Sequence, residues 1–378
     1  MVGWAAMMEA ASDFLTKLRR LSLGRDGSKF MLECKRSASM IDMEGEGGHG
    51  KHSFVSWTEI FPVLDESMME AYRSGVTDEE REEFEGWFGV KTQDWKTQDA
   101  RLDKAEAGLR KRHIVSVSLF WKHVNGGDPE LPVPDRELLI DARRLGLVKR
   151  FSPWECYIEP LFLHSAEMMR RHPEVTFRVY LAADLEFLAA ELAELGWEVC
   201  LMKSSSLRYC PGGFWRFLAL EEADALVTVV DADRIGQASG DIERTELMAR
   251  LGLSLWRVPG YYNADTSKEV RYRPILGGFG ARGGLMPVRE CIEAFVWHWR
   301  HGTLPLTANI PGRGEVPMKF ANWPDYGFDE WFQLAAMYPR LVPGGTLSFI
   351  PADARSQLLP VDIEYVTWAN PRSELVYF

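Results

Sequence analysis

Cysteine is scarce in this chain of 378 residues. Its five cysteines, Cys34, Cys156, Cys200, Cys210 and Cys291, are scattered, odd in number and free of C-x-x-C spacing. That argues against a disulfide framework or a zinc site and leaves reduced thiols, hence a cytoplasmic protein, as the simpler reading. Long apolar runs are missing too: none approaches the ~20 residues that a membrane-spanning helix requires, so no transmembrane segment is expected. The opening MVGWAAMMEAASDFLTKLRRLSLGR lacks the leading positive charges of a signal peptide. Basic residues are outnumbered, 44 Lys and Arg against 55 Asp and Glu, for a net charge of −11. Such a chain is not built to neutralise a phosphate backbone, so no nucleic-acid partner is expected. A local basic pocket for a small phosphorylated ligand stays compatible with it. No G-x-G-x-x-G follows the first strand, which disfavours dinucleotide binding. The brief repeat KTQDWKTQD (91–99) is too short in period for a solenoid.

What is present is a core former. The chain is 46% hydrophobic and 12% aromatic, with 14 tryptophans, and its length suits one large domain or two. Residues 1–110 read as a largely helical, irregular N-terminal extension. Met7, Phe14, Leu15, Leu18 and Leu21 form an apolar stripe there, with Lys17, Arg19, Arg20 and Arg25 at its end. That helix packs on its own protein or rests peripherally on the anionic inner membrane surface. MEGEGGHGKH (43–52) reads as a loop. Thr77 and Glu80 form a capping box, with Gly86 as the stop.

From residue 111 to 378 the texture is that of an α/β domain. HIVSVSLFWKH (113–123) reads as a strand. Ser152, Pro153 and Glu155 open a helix that Pro160 kinks. A strand over 175–182, a helix capped by Asp184 and ended by Gly196, and a strand over 197–202 make a βαβ unit. A helix near 212–221 and a strand over 225–231 follow, with helices on both faces of the sheet.

ALVTVV (225–230) then runs into Asp231 and Asp233. An apolar run of this kind suits a strand buried on both faces. Side chains two apart on extended backbone share a side, and the carboxyl ends of such strands are where ligands bind. Two close carboxylates repel unless a cation or a proton separates them. A hard divalent ion, Mg²⁺ or Mn²⁺, suits their oxygens. A pair of solvated loop aspartates is the plainer alternative.

Four stretches carry a resemblance: HIVSVSLFWKH, CPGGFWRFLAL (210–220), VVDADR (229–234), and YRPILGGFGARGG (272–284) together with DYGFDEWFQLAAMYPRL (325–341). In this order, from about 113 to 353, the chain resembles a nucleotide-sugar-dependent glycosyltransferase of the glycosyltransferase A fold, in particular the bacterial glycogenin-like enzymes with a DxD motif. The resemblance implies a mixed, mainly parallel sheet flanked by helices. It implies Mn²⁺ or Mg²⁺, a nucleoside-diphosphate sugar as donor, with a UDP-sugar favoured, and a glycan, lipid or protein as acceptor. Ser118, Leu119 and Phe120 would cradle the nucleoside. Arg216 would face the donor phosphates or sugar, with Arg234 second in line. Asp231 would touch both donor and metal, Asp233 the metal, and Gly277 and Gly278 would lie beside the sugar.

Asp329 and Glu330 are the carboxylates for the reacting centre, or else acids placed by the helix dipole. Arg216 is otherwise a surface ion pair, and Gly277 and Gly278 an ordinary tight turn. Relatives usually supply a late histidine to the metal. TLSFIPADAR (346–355) has none, so Asp353 stands in as the third ligand. His298 and His301 belong to a packed amphipathic helix instead. Two competing readings remain: a phosphohydrolase with DxD as nucleophile and acid, and a non-catalytic nucleotide-sugar binder. DADRIG lacks the small hydroxyl residue of the first, and the missing histidine motivates the second.

Overall fold

His113 to Leu119 and Val175 to Leu181 are buried along their whole length, as parallel strands covered on both faces must be. A computed structural model of the protein describes residues 57–94, 112–121, 134–148, 152–205, 211–262, 271–275, 277–310, 314–318, 327–350, 366, 369–370 and 372–377. The N-terminal amphipathic pattern, the 43–52 run and Asp353 lie outside the described residues.

The strands in chain order are β1 (Val90–Asp94), β2 (His113–Leu119), β3 (Val175–Leu181), β4 (Glu198–Met202), β5 (Leu226–Val229), β6 (Leu255–Arg257), β7 (Gly260–Tyr262), β8 (Arg271–Arg273), β9 (Phe279–Arg282), β10 (Thr307–Ile310), β11 (Gly314–Pro317), β12 (Thr346–Ile350) and β13 (Glu374–Tyr377). One sheet holds nine of them in the order β1-β4-β3-β2-β5-β9-β6-β12-β13. Parallel pairs join β4, β3, β2 and β5 and, separately, β6, β12 and β13, while β1 and β9 run antiparallel to their neighbours. The fold is α/β, a mixed and mainly parallel sheet flanked by helices. Among the described residues no helix is long and apolar enough to cross a membrane.

The described part of residues 1–110 is mostly helical, and it is built into this fold. The helix Asp78–Phe88 starts at the Thr77–Glu80 capping box. It does not stop at Gly86. It runs on to Phe88, and the Gly89 N–H closes it on the Glu85 carbonyl. Strand β1 then pairs with β4 at the sheet edge. The helix Val288–Arg300 ties these N-terminal helices down. The Tyr72 hydroxyl donates to Glu293 at 2.8 Å, the Trp297 indole donates to Glu80 at 3.1 Å, and Arg300 grips Glu83 through both terminal nitrogens. His298 shares hydrogen bonds with Thr303 and the Met68 carbonyl, and His301 stacks on Trp297, the structural parts expected of them.

Two local expectations are corrected. Asp184 does not cap a helix: the turn Ala183–Leu188 follows Ala182, and the Asp184 carboxylate accepts the Trp121 indole N–H at 3.0 Å. Pro160 does not bend a continuous α-helix either. A widened turn, Trp154–Ile158, precedes the helix Glu159–Arg171, with the Glu159 N–H bonded five residues back to Trp154. Proline has no N–H to offer the usual partner four residues back, and the widened turn accommodates that loss.

Several polar side chains inside the sheet satisfy one another. The His113 ring meets the Thr228 hydroxyl at 2.8 Å, Thr228 meets Thr245 at 2.7 Å, and the Trp256 indole donates to Thr245 at 2.7 Å. This chain joins β2, β5 and β6 to the helix Ala238–Arg250. At the amino ends of the strands, fully buried Glu198 accepts from Arg178 at 2.8 Å and from Arg112 at 2.5 Å. Burial raises the Glu198 carboxyl, against the pull of Arg178 and Arg112.

Burial, with the neighbouring His172, pushes His113 down from 6.5 to about 4. The folded protein therefore resists a proton that the unfolded chain accepts. The stability this provides is complete above about pH 6.5 and is lost as the pH falls toward 4. We expect the wild-type melting temperature to drop between pH 7 and pH 5, by roughly 1–3 kcal/mol in stability terms. His113→Gln should flatten that slope, as read by calorimetry across the range; an equal slope in the variant would show that other groups carry it.

Candidate functional site

Strands β2 and β5 are neighbours, yet the chain leaves β2 for β3 and β4 on one side before returning to β5 on the other. This is the topological switch point of the parallel part, and such sheets open a crevice at the carboxyl ends of the strands there. Ser116 lies level with Val229, the last residue of β5. Beyond that register the two strands part.

Ser116 and Ser118, on one side of β2, seat a single residue between them. The Ser116 hydroxyl donates to the Arg216 carbonyl at 2.7 Å, and the Arg216 N–H donates to the Ser118 hydroxyl at 2.8 Å. Arg216 follows the short helix Gly212–Trp215. That segment is anchored by Phe214, which packs edge-on to Phe328 and Phe332, and by Phe217, which lies against Phe332 and Phe279. The backbone of Arg216 is thus fixed before its side chain does anything.

The guanidinium bridges two carboxylates. One terminal nitrogen bonds Asp231 and the other bonds Asp329 at 2.8 Å. Burial favours loss of the arginine proton, but Asp231 and Asp329 outweigh it and hold its pKa above the ordinary value. The buried Nε of Arg216 has no hydrogen-bond partner among the described residues. Arg216 is therefore no surface ion pair: its side chain is 15% exposed, and it joins the end of β5 to the helix Phe328–Phe332.

Of the two aspartates of DxD, Asp231 is on extended backbone and Asp233 is not. The chain turns into a tight helical segment, Ala232–Gln237, directly after Asp231. Asp233 keeps an exposed edge. Its carboxyl is nonetheless raised, first by the protein around it and then by the charge of Asp231. The charge of Asp231 thus reaches Asp233 across a turn and not along a strand. Among the described residues no group of three His, Cys, Asp or Glu side chains is set to hold a metal ion. Asp231 and Asp233 remain a two-carboxylate donor set whose mutual repulsion a hard cation would relieve.

Glu330 is turned to another partner. It pairs with Arg273 of β8 at 2.6 Å, both side chains largely buried. Leu119 gives its side chain to the core and its carbonyl to the Ala182 N–H. The Phe120 ring packs on the backbone of Gly212 and edge-on to Trp215.

The glycines of the β8–β9 loop admit parts of this protein. Gly277 has φ +64°, and the Arg234 guanidinium occupies the place of a Cβ there. At Gly278 a Cβ would stand 2.7 Å from Asp241, and at Gly280 it would meet Thr245 and Trp256. Sequence reasoning does not single out Ser116, Asp241 or Arg273. The one available signal was Arg273 itself, a charge among apolar residues next to the glycine run. His164 and Cys156 border the DxD turn as well: the His164 ring lies over Gly236, and burial, Glu155 and Asp233 raise the Cys156 thiol.

No protein-family model matches the chain, and no curated protein matches it in sequence. Among solved structures, the chain is similar to 4-diphosphocytidyl-2C-methyl-D-erythritol synthase from Anaerococcus prevotii DSM 20548. The identity is 12% and the TM-score 0.31, over 69% of this chain and 97% of that one.

Removing Arg216 strands two acids at once. Arg216→Met should lower unfolding stability by roughly 2–4 kcal/mol, less than for a fully dry pair because both acids touch water. Adding Asp231→Asn and Asp329→Asn should restore part of the loss. Urea denaturation of the single and triple variants reads this directly; equal loss in both would mean that arginine packing, not charge, holds the site.

Proposed function

We propose that the protein is a metal-dependent glycosyltransferase, moving a sugar from a nucleoside-diphosphate sugar to an acceptor. The observation that carries this reading is the charge arrangement at the switch point. Arg216 clamps Asp231 and Asp329 across the crevice, and Asp233 is left beside them without an ion pair among the described residues. It sits in the family order of motifs set out above.

In this reading Asp231 and Asp233 hold Mn²⁺ or Mg²⁺, joined by Asp353. Such an ion acts as a Lewis acid on the diphosphate as negative charge develops there. Arg216, pre-organised by the Ser116–Ser118 clamp, holds Asp231 and Asp329 in one geometry, so little reorganisation is needed when the donor's charge shifts. Of the two acids on the helix Phe328–Phe332, Asp329 is the better placed for the reacting centre. Only its Oδ2 is engaged among the described residues, whereas Glu330 is committed to Arg273. Ser118 and Phe120 mark the wall where the nucleoside would lie, and Gly277 and Gly278 the opposite lip.

A second reading, a nucleotide-sugar binder without catalysis, is motivated by TLSFIPADAR (346–355), which has no histidine where relatives of the resembling family supply a metal ligand. Binding without consumption of any donor sugar would select it.

A ligand that binds only the folded form raises the melting point in step with its affinity, by about 2.7 kcal/mol at one hundred times its Kd. We expect UDP or another nucleoside diphosphate to stabilise the protein in the presence of Mn²⁺ and much less without it. Asp233→Ala should abolish the difference between the two conditions. A metal response that survives intact in that variant would remove Asp233 from the metal site and the proposal with it.

A further inference from the structure

Pairing off the charges around the crevice leaves a remainder. Arg216 is taken by Asp231 and Asp329, Arg273 by Glu330, and Arg244 by Asp241 at 2.9 Å. Arg234 is left over. Among the described residues its side chain donates no hydrogen bond and has no carboxylate within ion-pairing distance. It is nonetheless half-buried, and both Asp233 and Asp241 feel its charge.

Its position is set by shape. The Arg234 N–H closes the turn on the Asp231 carbonyl at 2.9 Å, which fixes where the side chain leaves the backbone. One terminal nitrogen of the guanidinium then points at Gly277, into the space any other residue would fill with Cβ. Gly277 holds φ +64°, which glycine adopts without strain. A guanidinium presents several donors in a rigid fork that matches phosphate oxygens. Placed beside carboxylates and bonded to none of them, it has its donors available to an anion arriving from outside.

We propose that Arg234, and not Arg216, is the residue that binds the diphosphate. Arg216 is already committed at both terminal nitrogens; releasing it to a phosphate would uncover Asp231 and Asp329. Arg234 costs the fold no pair when it turns to a ligand. The leftover charges, Asp233 negative and Arg234 positive, are adjacent, and a diphosphate chelated to a divalent cation offers the complementary pattern. This assignment rests on the nucleoside-diphosphate reading for the nature of the ligand, but not for the existence of the anion site.

Titration calorimetry in Mn²⁺ with UDP, inorganic pyrophosphate and uridine tests it. Arg234→Gln should weaken UDP and pyrophosphate by roughly 10- to 100-fold, the scale of a charged hydrogen-bond pair. It should leave uridine unchanged, and Arg234→Lys should recover part of the loss. The melting temperature of Arg234→Gln without ligand should fall only slightly, since among the described residues no ion pair is lost and only the charge felt by Asp233 and Asp241 is removed. UDP and pyrophosphate affinities unchanged in Arg234→Gln would overturn the assignment, as would an equal loss of uridine. Pyrophosphate binding that depends on Arg234, in a protein that ignores UDP and other nucleoside diphosphates, would uphold the anion site and sink the glycosyltransferase reading. A wild type that binds neither UDP nor pyrophosphate would refute both.

Discussion

The seating of Arg216 on β2 is the constraint on which the rest of the crevice depends. Two serine hydroxyls, one donating to its carbonyl and one accepting from its N–H, lock its backbone beside the end of the strand. The side chain can then reach Asp231, just past β5, and Asp329, on a helix over a hundred residues later in the chain. A single guanidinium thus closes three elements that local sequence does not bring together. Buried ion pairs are weak sources of stability, because desolvation offsets much of the attraction. Their more dependable effect here is positional: two acids and a cation are held in one relative geometry by groups that cannot leave without exposing an uncompensated charge.

The same division of labour runs through the sheet. One face of β2 looks to the Arg216 segment through Ser116 and Ser118. The other looks to the helix Ala238–Arg250 through His113 and the Thr228–Thr245–Trp256 chain. Each polar residue in this strand is spent on a hydrogen bond, which is why a seven-residue strand with three polar members can be wholly buried. The helix that receives the chain also carries Asp241, against which Gly278 packs, so the back of the crevice and the hydrogen-bonded core are one piece.

Much of this was legible in the sequence, and what was not has identifiable causes. The strands β2, β3, β4 and β5 announce themselves through β-branched and apolar runs, and the Thr77–Glu80 box through local spacing. DxD at the end of a buried strand falls at the switch point between β2 and β5. The errors arose where tertiary partners overrode local signals. Asp184 looks like a cap but is recruited by Trp121 across the fold. Gly86 looks like a stop, yet nothing in its turn requires one, and the helix continues. At the end of β2, Leu119 faces the core and the partly buried Phe120 ring packs on Gly212, contacts that the strand pattern does not reveal. The glycine run was read as room for a ligand. It is at least as much room for Arg234, Asp241, Thr245 and Trp256, and no pattern within ILGGFG reveals which side chains will come to it.

The commitments of the three paired arginines also decide how the crevice can answer a charged ligand. Asp231 is shared: whatever cation approaches it competes with a guanidinium already in contact. Asp233 has no such competitor, and the protein around it together with the charge of Asp231 makes its ionised form costly. An incoming divalent ion therefore gains most at Asp233, by relieving that cost, and gains less at Asp231, where Arg216 already offsets the charge. On the opposite sign, a phosphate bound as proposed would gain little from Arg216 for the same reason and most from Arg234. The site is thus asymmetric by construction. On the proposed reading its paired charges hold the geometry and its unpaired ones meet the ligand, so recognition would fall to the residues with the fewest ion pairs among the described residues.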